Sequence, residues 1–156
     1  MNEPVVIGVG NPDRGDDGLG RAVARRLKQA GSRGATILES DGAADRLIEA
    51  FRGAERVILV DAAQGVGAPG SVVRLEAHGA ALPAGLRPGS SHALGVAEAI
   101  ELARALGELP PCVVVYAVEG SHFAPGPGLS AEVQHALDAV VERVLGELRC
   151  FARRSS

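Results

Sequence analysis

Residues 5–18 read Val5-Val6-Ile7-Gly8-Val9-Gly10-Asn11-Pro12-Asp13-Arg14-Gly15-Asp16-Asp17-Gly18. Five apolar or glycine positions break on Gly-x-Gly, turn through Asn-Pro and enter an acidic segment. Leu19, Val23 and Leu27 then recur at helical spacing. A short apolar strand feeding an amphipathic helix is the first half of a β-α-β unit. Outward from this point, Thr36–Glu39 and Val57–Val60 are two more short β-branched runs. Between them Leu47, Ile48 and Phe51 mark a helix over Ala44–Phe51. The resulting βαβαβ order predicts buried parallel strands.

Downstream the pattern is looser. Gln64–Gly70 is a Gly-rich loop leading into Ser71–Leu75, an edge strand that the pattern leaves free to run antiparallel, and Gly79–Ser91 has no periodicity and reads as a long loop. A helix capped by Ser91 is expected next, with an apolar stripe of Leu94, Ala97, Ile100 and Leu102 through about Leu106. Cys112–Val118 is the most apolar strand and is expected at the centre of the sheet. A polar loop then leads to a helix capped by Ser130, with Val133, Leu137, Val140, Val141, Val144 and Leu148 on one face. The expected fold is α/β, a three-layer, mostly parallel, five-stranded twisted sheet flanked by helices, with one strand open to antiparallel pairing. Residues 1–150 are expected to form a single α/β domain and 151–156 a frayed tail.

Composition narrows the function. The 156 residues are 46% hydrophobic and 22% charged with a formal net charge of −3, and Lys and Arg form no run. This excludes the electrostatic footprint of a nucleic-acid binder. The N-terminus lacks a basic region and the run Val5–Val9 is too short for a signal segment or membrane span, so a cytoplasmic protein is expected. Cys112 and Cys150 show no CxxC spacing and read as free thiols.

The loop after the first strand admits two chemistries. Gly-x-Gly opening a helix invites a dinucleotide, with Glu39 or Asp41 as the ribose-binding acid. The third glycine of that fingerprint, however, falls at Asp13, and Asp13, Asp16 and Asp17 occupy the place of the phosphates and would repel them. An isolated Asp at a helix start is an ordinary cap. Three carboxylates there instead offer oxygen ligands to a cation, over glycines that let the backbone turn tightly beneath a ligand. Asp61 ends an apolar strand on the rim where α/β sheets place ligand groups. His92 would stand in the first turn of a helix, whose dipole keeps imidazole neutral and able to bind metal. Neither a GxSxG elbow nor HExxH is present, and Cys112 within a buried strand is a poor nucleophile.

With these residues in place, the chain resembles the hydrogenase maturation endopeptidases, which trim the C-terminal extension of the large subunit of nickel-iron hydrogenases. The resemblance rests on residues 6–12 and 15–20, on Asp41-Gly42, Val60-Asp61-Ala62, Ser91-His92-Ala93-Leu94-Gly95 and Gly128-Leu129-Ser130. It implies that Asp17, Asp61 and His92 bind nickel and act in catalysis. It implies too that the nickel arrives on the precursor, so that no tightly held metal of the protein's own is expected. Zinc or cadmium would suit the same donors. Asn11, Asp16 and Asp41 are candidate secondary contacts with the substrate. The chain has Asp41-Gly42-Ala43-Ala44 where many relatives have Asp-Gly-Gly-Thr. Two other readings use the same residues. One is a non-catalytic nickel checkpoint or nickel-binding chaperone on Asp17, Asp61 and His92. The other is a nucleotide-binding module on Gly8 and Gly10, ranked last because of the acidic loop.

Overall fold

The computed structural model describes residues 2–32, 34–82, 87–88 and 95–155, with backbone alone at 87, 88 and 155. The first strand, β1 (Val5–Val9), leads through a 3₁₀ turn at Gly15–Gly18 into α1 (Leu19–Gln29). Then come β2 (Thr36–Ser40), α2 (Ala44–Phe51) and β3 (Arg56–Gln64). The second half holds β4 (Val72–Glu76), the two-residue β5 (Arg87–Pro88), α3 (Val96–Ala105), β6 (Cys112–Glu119) and α4 (Ala131–Ser155). Five strands lie in the order β2-β1-β3-β6-β4, and β5 pairs antiparallel with the far end of β3. Pairings β1–β2, β1–β3 and β3–β6 are parallel. The edge strand β4 is antiparallel to β6.

Alternation along the strands makes the three layers. On β3, Ile58 and Val60 join Leu19, Val23 and Leu27 of α1 and Val133, Leu137, Val140 and Val144 of α4 in one core. The intervening Val57 and Leu59 join Leu47 and Phe51 of α2 and Ala99, Ile100 and Ala103 of α3 in the other. Both faces of the sheet are therefore covered, which is why its strands read as continuous apolar runs.

The order places a switch point between β1 and β3. From β1 the chain crosses outward to β2, whereas from β3 it moves the other way towards β6. The crevice at the C-terminal ends of such a strand pair is where open α/β sheets bind ligands.

Four local expectations change. The central strand is β3, with β6 beside it. Asp61 lies inside β3, which continues to Gln64 because the longer β6 pairs with it as far as Ala63↔Glu119. On its other side, pairing with β1 stops at Gly8↔Val60, so Asp61 is the first residue that β1 leaves unpaired. Helix α3 begins at Val96, and its buried stripe is Val96, Ala99, Ile100 and Ala103. Leu102 and Leu106 stand out to solvent at 46% and 58% exposure. The proposed cap Ser91 and the stripe residue Leu94 lie outside the described residues. Finally, α4 continues to Ser155 through the segment expected to fray, because Phe151 is buried against the core and lies under the Arg56 guanidinium. Both cysteines are free, with Cys112 half-buried and Cys150 exposed.

Candidate active site

The glycines after β1 serve close backbone packing. A Cβ on Gly8 would sit 2.1 Å from the Gly20 carbonyl oxygen, and one on Gly20 would sit 2.3 Å from the carbonyl oxygens of both Val9 and Val60. Helix α1 thus rests directly on β1 and β3, and the face of Gly8 that a phosphate would approach is filled. Gly10 adopts φ 143°, and a Cβ there would lie 1.9 Å from the Asp17 carbonyl oxygen. Only glycine lets the end of β1 pass this close to the 3₁₀ turn. The tight turn read from the sequence is real, but it forms beneath Asp17 as part of the packing.

Asp16 and Asp17 occupy the same turn with opposite duties. Asp16 is fully buried. Its Oδ2 accepts the backbone N–H groups of Ser121 (2.8 Å) and His122 (3.0 Å) and the hydroxyls of Ser130 (2.9 Å) and Ser121 (3.3 Å). Its Oδ1 accepts the Ser130 N–H at 2.7 Å. Burial by itself would raise its pKa, but the bonds from Ser130, Ser121 and His122 outweigh it and hold the carboxyl below its ordinary value. Ser130 immediately precedes α4, so the carboxylate also faces that helix's N-terminal dipole. The backbone reinforces the clamp, with Asp16 N–H donating to His122 O at 2.7 Å and Gly15 N–H to Gly126 O at 2.8 Å. Asp16, expected to contact substrate, is instead the latch tying the turn to the β6–α4 loop; both its oxygens are occupied and none of its surface is open.

Asp17 looks the other way, onto the switch-point crevice. It is 3% exposed, and its Oδ2 accepts the Asn11 N–H at 3.0 Å. Burial raises its pKa, against the Asn11 bond and the nearby Arg14 charge. The Asp61 carboxyl is pushed well above the carboxylate range, first by burial and then by the charge of Asp17, with the Ala62 N–H acting in the opposite direction. The two side chains therefore feel each other across the ends of β1 and β3. Two crowded carboxylates resist being ionised together, and a divalent cation between them would remove that conflict as a proton does.

The remaining predicted residues divide. Asn11 is exposed and its Oδ1 accepts the Asp13 N–H at 2.9 Å, stabilising the loop's turn. Asp41 accepts the Ala43 N–H at 3.0 Å and pairs with Arg46. The Ala43 bond leads the forces that lower its pKa. Asn11, Asp17 and Asp41 line a common groove of about 1100 Å³ that runs from the end of β1 between α2 and α3. His92 lies outside the described residues. Among the described residues no group of three or more His, Cys, Asp or Glu is gathered to hold a metal. Glu39, a candidate ribose ligand in the dinucleotide reading, is gripped by Arg21, Arg25 and Lys28.

Sequence reasoning missed Arg14, whose charge reaches Asp17 and whose Nε is buried without a hydrogen-bond partner among the described residues. Its place between Asp13 and Asp16 was the available signal. The groove face of α3 was also missed. Assigning Leu102 to the core hid the fact that Leu102 and Leu106, one helical turn apart, face outward.

Residues 21–147 match the model of a family described as hydrogenase maturation protease (HycI). Among solved structures, an endopeptidase from Escherichia coli superimposes with a TM-score of 0.80 at 26% identity, covering 96% of this chain and 93% of that one. The hydrogenase maturating endopeptidase HybD from E. coli gives 0.76 at 24% identity, with coverage of 96% and 93%. The [NiFe] hydrogenase maturation protease HybD from Thermococcus kodakarensis gives 0.69 at 25% identity, with coverage of 92% and 97%. No curated protein matches the chain by sequence. No helix among the described residues is long and apolar enough to cross a membrane.

Proposed function

The chain belongs to the hydrogenase maturation protease family, and from that premise we propose that this peptidase removes the C-terminal extension of a nickel-iron hydrogenase large-subunit precursor in the cytoplasm, and does so only once the precursor carries nickel. The observation that carries the reading is the placement of two carboxylates at the β1/β3 switch point, Asp17 on the groove wall at the end of β1 and Asp61 at the first β3 residue that β1 leaves unpaired, where the Asp17 charge helps raise the Asp61 pKa. A carboxylate whose ionisation is opposed by burial and by a neighbouring carboxylate is poised for an incoming divalent cation, and here that cation is part of the substrate. In this proposal His92 supplies the third donor through an imidazole nitrogen. Oxygen and imidazole donors suit nickel, and zinc or cadmium would be accepted too.

In this reading the protease completes the coordination of the precursor's nickel and thereby fixes the neighbouring peptide bond against the crevice. Holding reactants in register supplies much of the barrier reduction. A carboxylate of the pair, or water polarised at the metal, then delivers the nucleophile. Asp16 takes no part in the chemistry; it holds the turn that presents Asp17. Asn11 and Asp41, on the wall of the adjoining groove, contact the peptide.

The test is to incubate the protein with nickel-loaded and nickel-free precursor and follow the loss of mass. Cleavage is expected only of the loaded form, and Asp17→Asn is expected to lower its rate by about 10–100-fold or more, the range seen when support for a metal site is lost. Equal processing of both forms, or full activity of Asp17→Asn, would refute the proposal.

A further inference from the structure

The groove that begins at Asp17 has a composition that the metal site does not explain. Its floor includes Ile48 of α2 with Leu102 of α3 and Leu106 at that helix's C-cap, and these two leucines, one turn apart, are both exposed. Its α2 wall carries Asp45 and Glu49, also one turn apart, and neither forms an ion pair among the described residues. The cations of the groove are already engaged: Arg21 pairs with Glu39 at 3.1 Å and Arg52 with Glu108 at 3.2 Å. An aliphatic floor with an uncompensated acidic wall is thus continuous with the carboxylate pair.

From this geometry, and resting on the function proposed above, we infer that the groove between α2 and α3 is the binding channel for the extension to be removed, held as an extended peptide with apolar side chains on Leu102 and Leu106 and a basic side chain against Asp45 and Glu49. A folded, metal-bearing subunit meets the rim at Asp17 and Asp61. The cleft leading away between two helices suits an unfolded tail, as helix-flanked grooves hold peptides through regularly spaced apolar anchors. Charge complementarity gives the sign of the partner. Asp45 and Glu49 line the groove with no ion pair among the described residues, whereas Asp41 is paired with Arg46 and the two groove arginines, Arg21 and Arg52, with Glu39 and Glu108. An acidic tail would be repelled. The groove volume, about 1100 Å³, exceeds that of ordinary small-molecule sites, as room for a peptide requires.

The experiment measures KM and kcat on nickel-loaded precursor for the wild-type protein, for Leu102→Ser/Leu106→Ser and for Asp45→Asn/Glu49→Gln. All four positions lie outside the carboxylate pair. The leucine variant is expected to raise KM about tenfold or more with kcat nearly unchanged. The acidic variant is expected to raise KM severalfold at low salt, with the difference vanishing at about 0.5 M salt. A benzoylphenylalanine photo-crosslinker at position 106 should capture the extension itself, identified by mass spectrometry. Unchanged KM in both variants, or capture of this chain's own residues 83–94 or of a second copy in place of the extension, overturns the inference. If the wild-type protein leaves the precursor uncut or ignores its nickel, it is the proposed function that fails. Normal wild-type processing with groove variants of normal KM defeats the groove alone.

Discussion

Replacing Asp16 with Asn keeps the shape of the side chain and removes its charge. Five donors converge on the carboxylate, four on Oδ2 and one, the Ser130 N–H, on Oδ1. The best Asn rotamer keeps its amide oxygen under the four donors, and its NH₂ then confronts the Ser130 N–H, donor against donor. A hydrogen bond to a charged acceptor contributes ~1.5–3 kcal/mol, and a buried donor left unpaired costs ~1–3 kcal/mol. One stranded donor and four weakened bonds together predict a loss of about 3–5 kcal/mol, since such terms do not sum in full. At ~2–4 °C per kcal/mol for a chain of this size, Tm should fall by roughly 6–20 °C. The pH dependence follows from the lowered pKa. Because folding lowers this carboxyl below its ordinary 3.8, its stabilisation is complete above that value and is lost only as pH falls through the lower folded value. The gap between wild type and variant in thermal and urea denaturation should therefore be constant from pH 8 to about 5 and close only in stronger acid. A variant melting within about 2 °C of wild type at pH 7, where the principle above requires several degrees, would show that the latch is not what holds the turn.

Asp61→Asn should move stability the other way. Burial and the Asp17 charge raise the Asp61 pKa in the fold, so its ionisation opposes folding at neutral pH and the opposition fades as pH falls through the raised value. The variant is expected to melt above wild type at pH 7, to lose that advantage in acid, and to lose processing activity; a lower Tm at pH 7 would contradict the crowding of the two carboxylates. Gly20→Ala should destabilise by about 2–4 kcal/mol, because the added methyl meets two carbonyl oxygens at 2.3 Å and α1 must lift from the sheet. Gly146→Ala within α4, where the nearest atom is the Arg149 Nη2 at 3.9 Å, should instead stabilise by about 0.5–1 kcal/mol. Urea denaturation of the two variants side by side tests this, and equal effects would refute the packing role assigned to Gly20.

Much of the molecule was legible along the chain. Strand β1, helix α2 and the edge strand β4 lie where periodicity and turn chemistry put them, because each is dictated by local alternation and by glycine or polar breaks, whereas the antiparallel direction of β4 was left open by the pattern and set by its pairing with β6. Asp61 stood out as a carboxylate directly after an apolar run, and Asp17 as part of the acidic segment between the first strand and its helix, singled out from its neighbours by the family resemblance. Helix α3 was harder to read. At about 3.6 residues per turn Leu102 lies about 200° around the helix from Ile100, so the two do not share a face; the core takes Val96, Ala99, Ile100 and Ala103 and leaves Leu102 at the surface.

Local pattern alone did not distinguish two adjacent aspartates; only the family resemblance preferred Asp17, and what each side chain faces was not legible along the chain. Asp16 and Asp17 are chemically identical and neighbours in one turn, yet one meets the start of a helix more than a hundred residues away and the other the end of β3. The sequence determined that an acidic turn follows a buried strand, because that is local propensity and pattern. Only the tertiary structure showed that Asp16 is a buried latch while Asp17 faces the crevice, because the donors that satisfy Asp16 and the Asp61 carboxyl that feels the Asp17 charge come from segments brought together solely by the order of the strands.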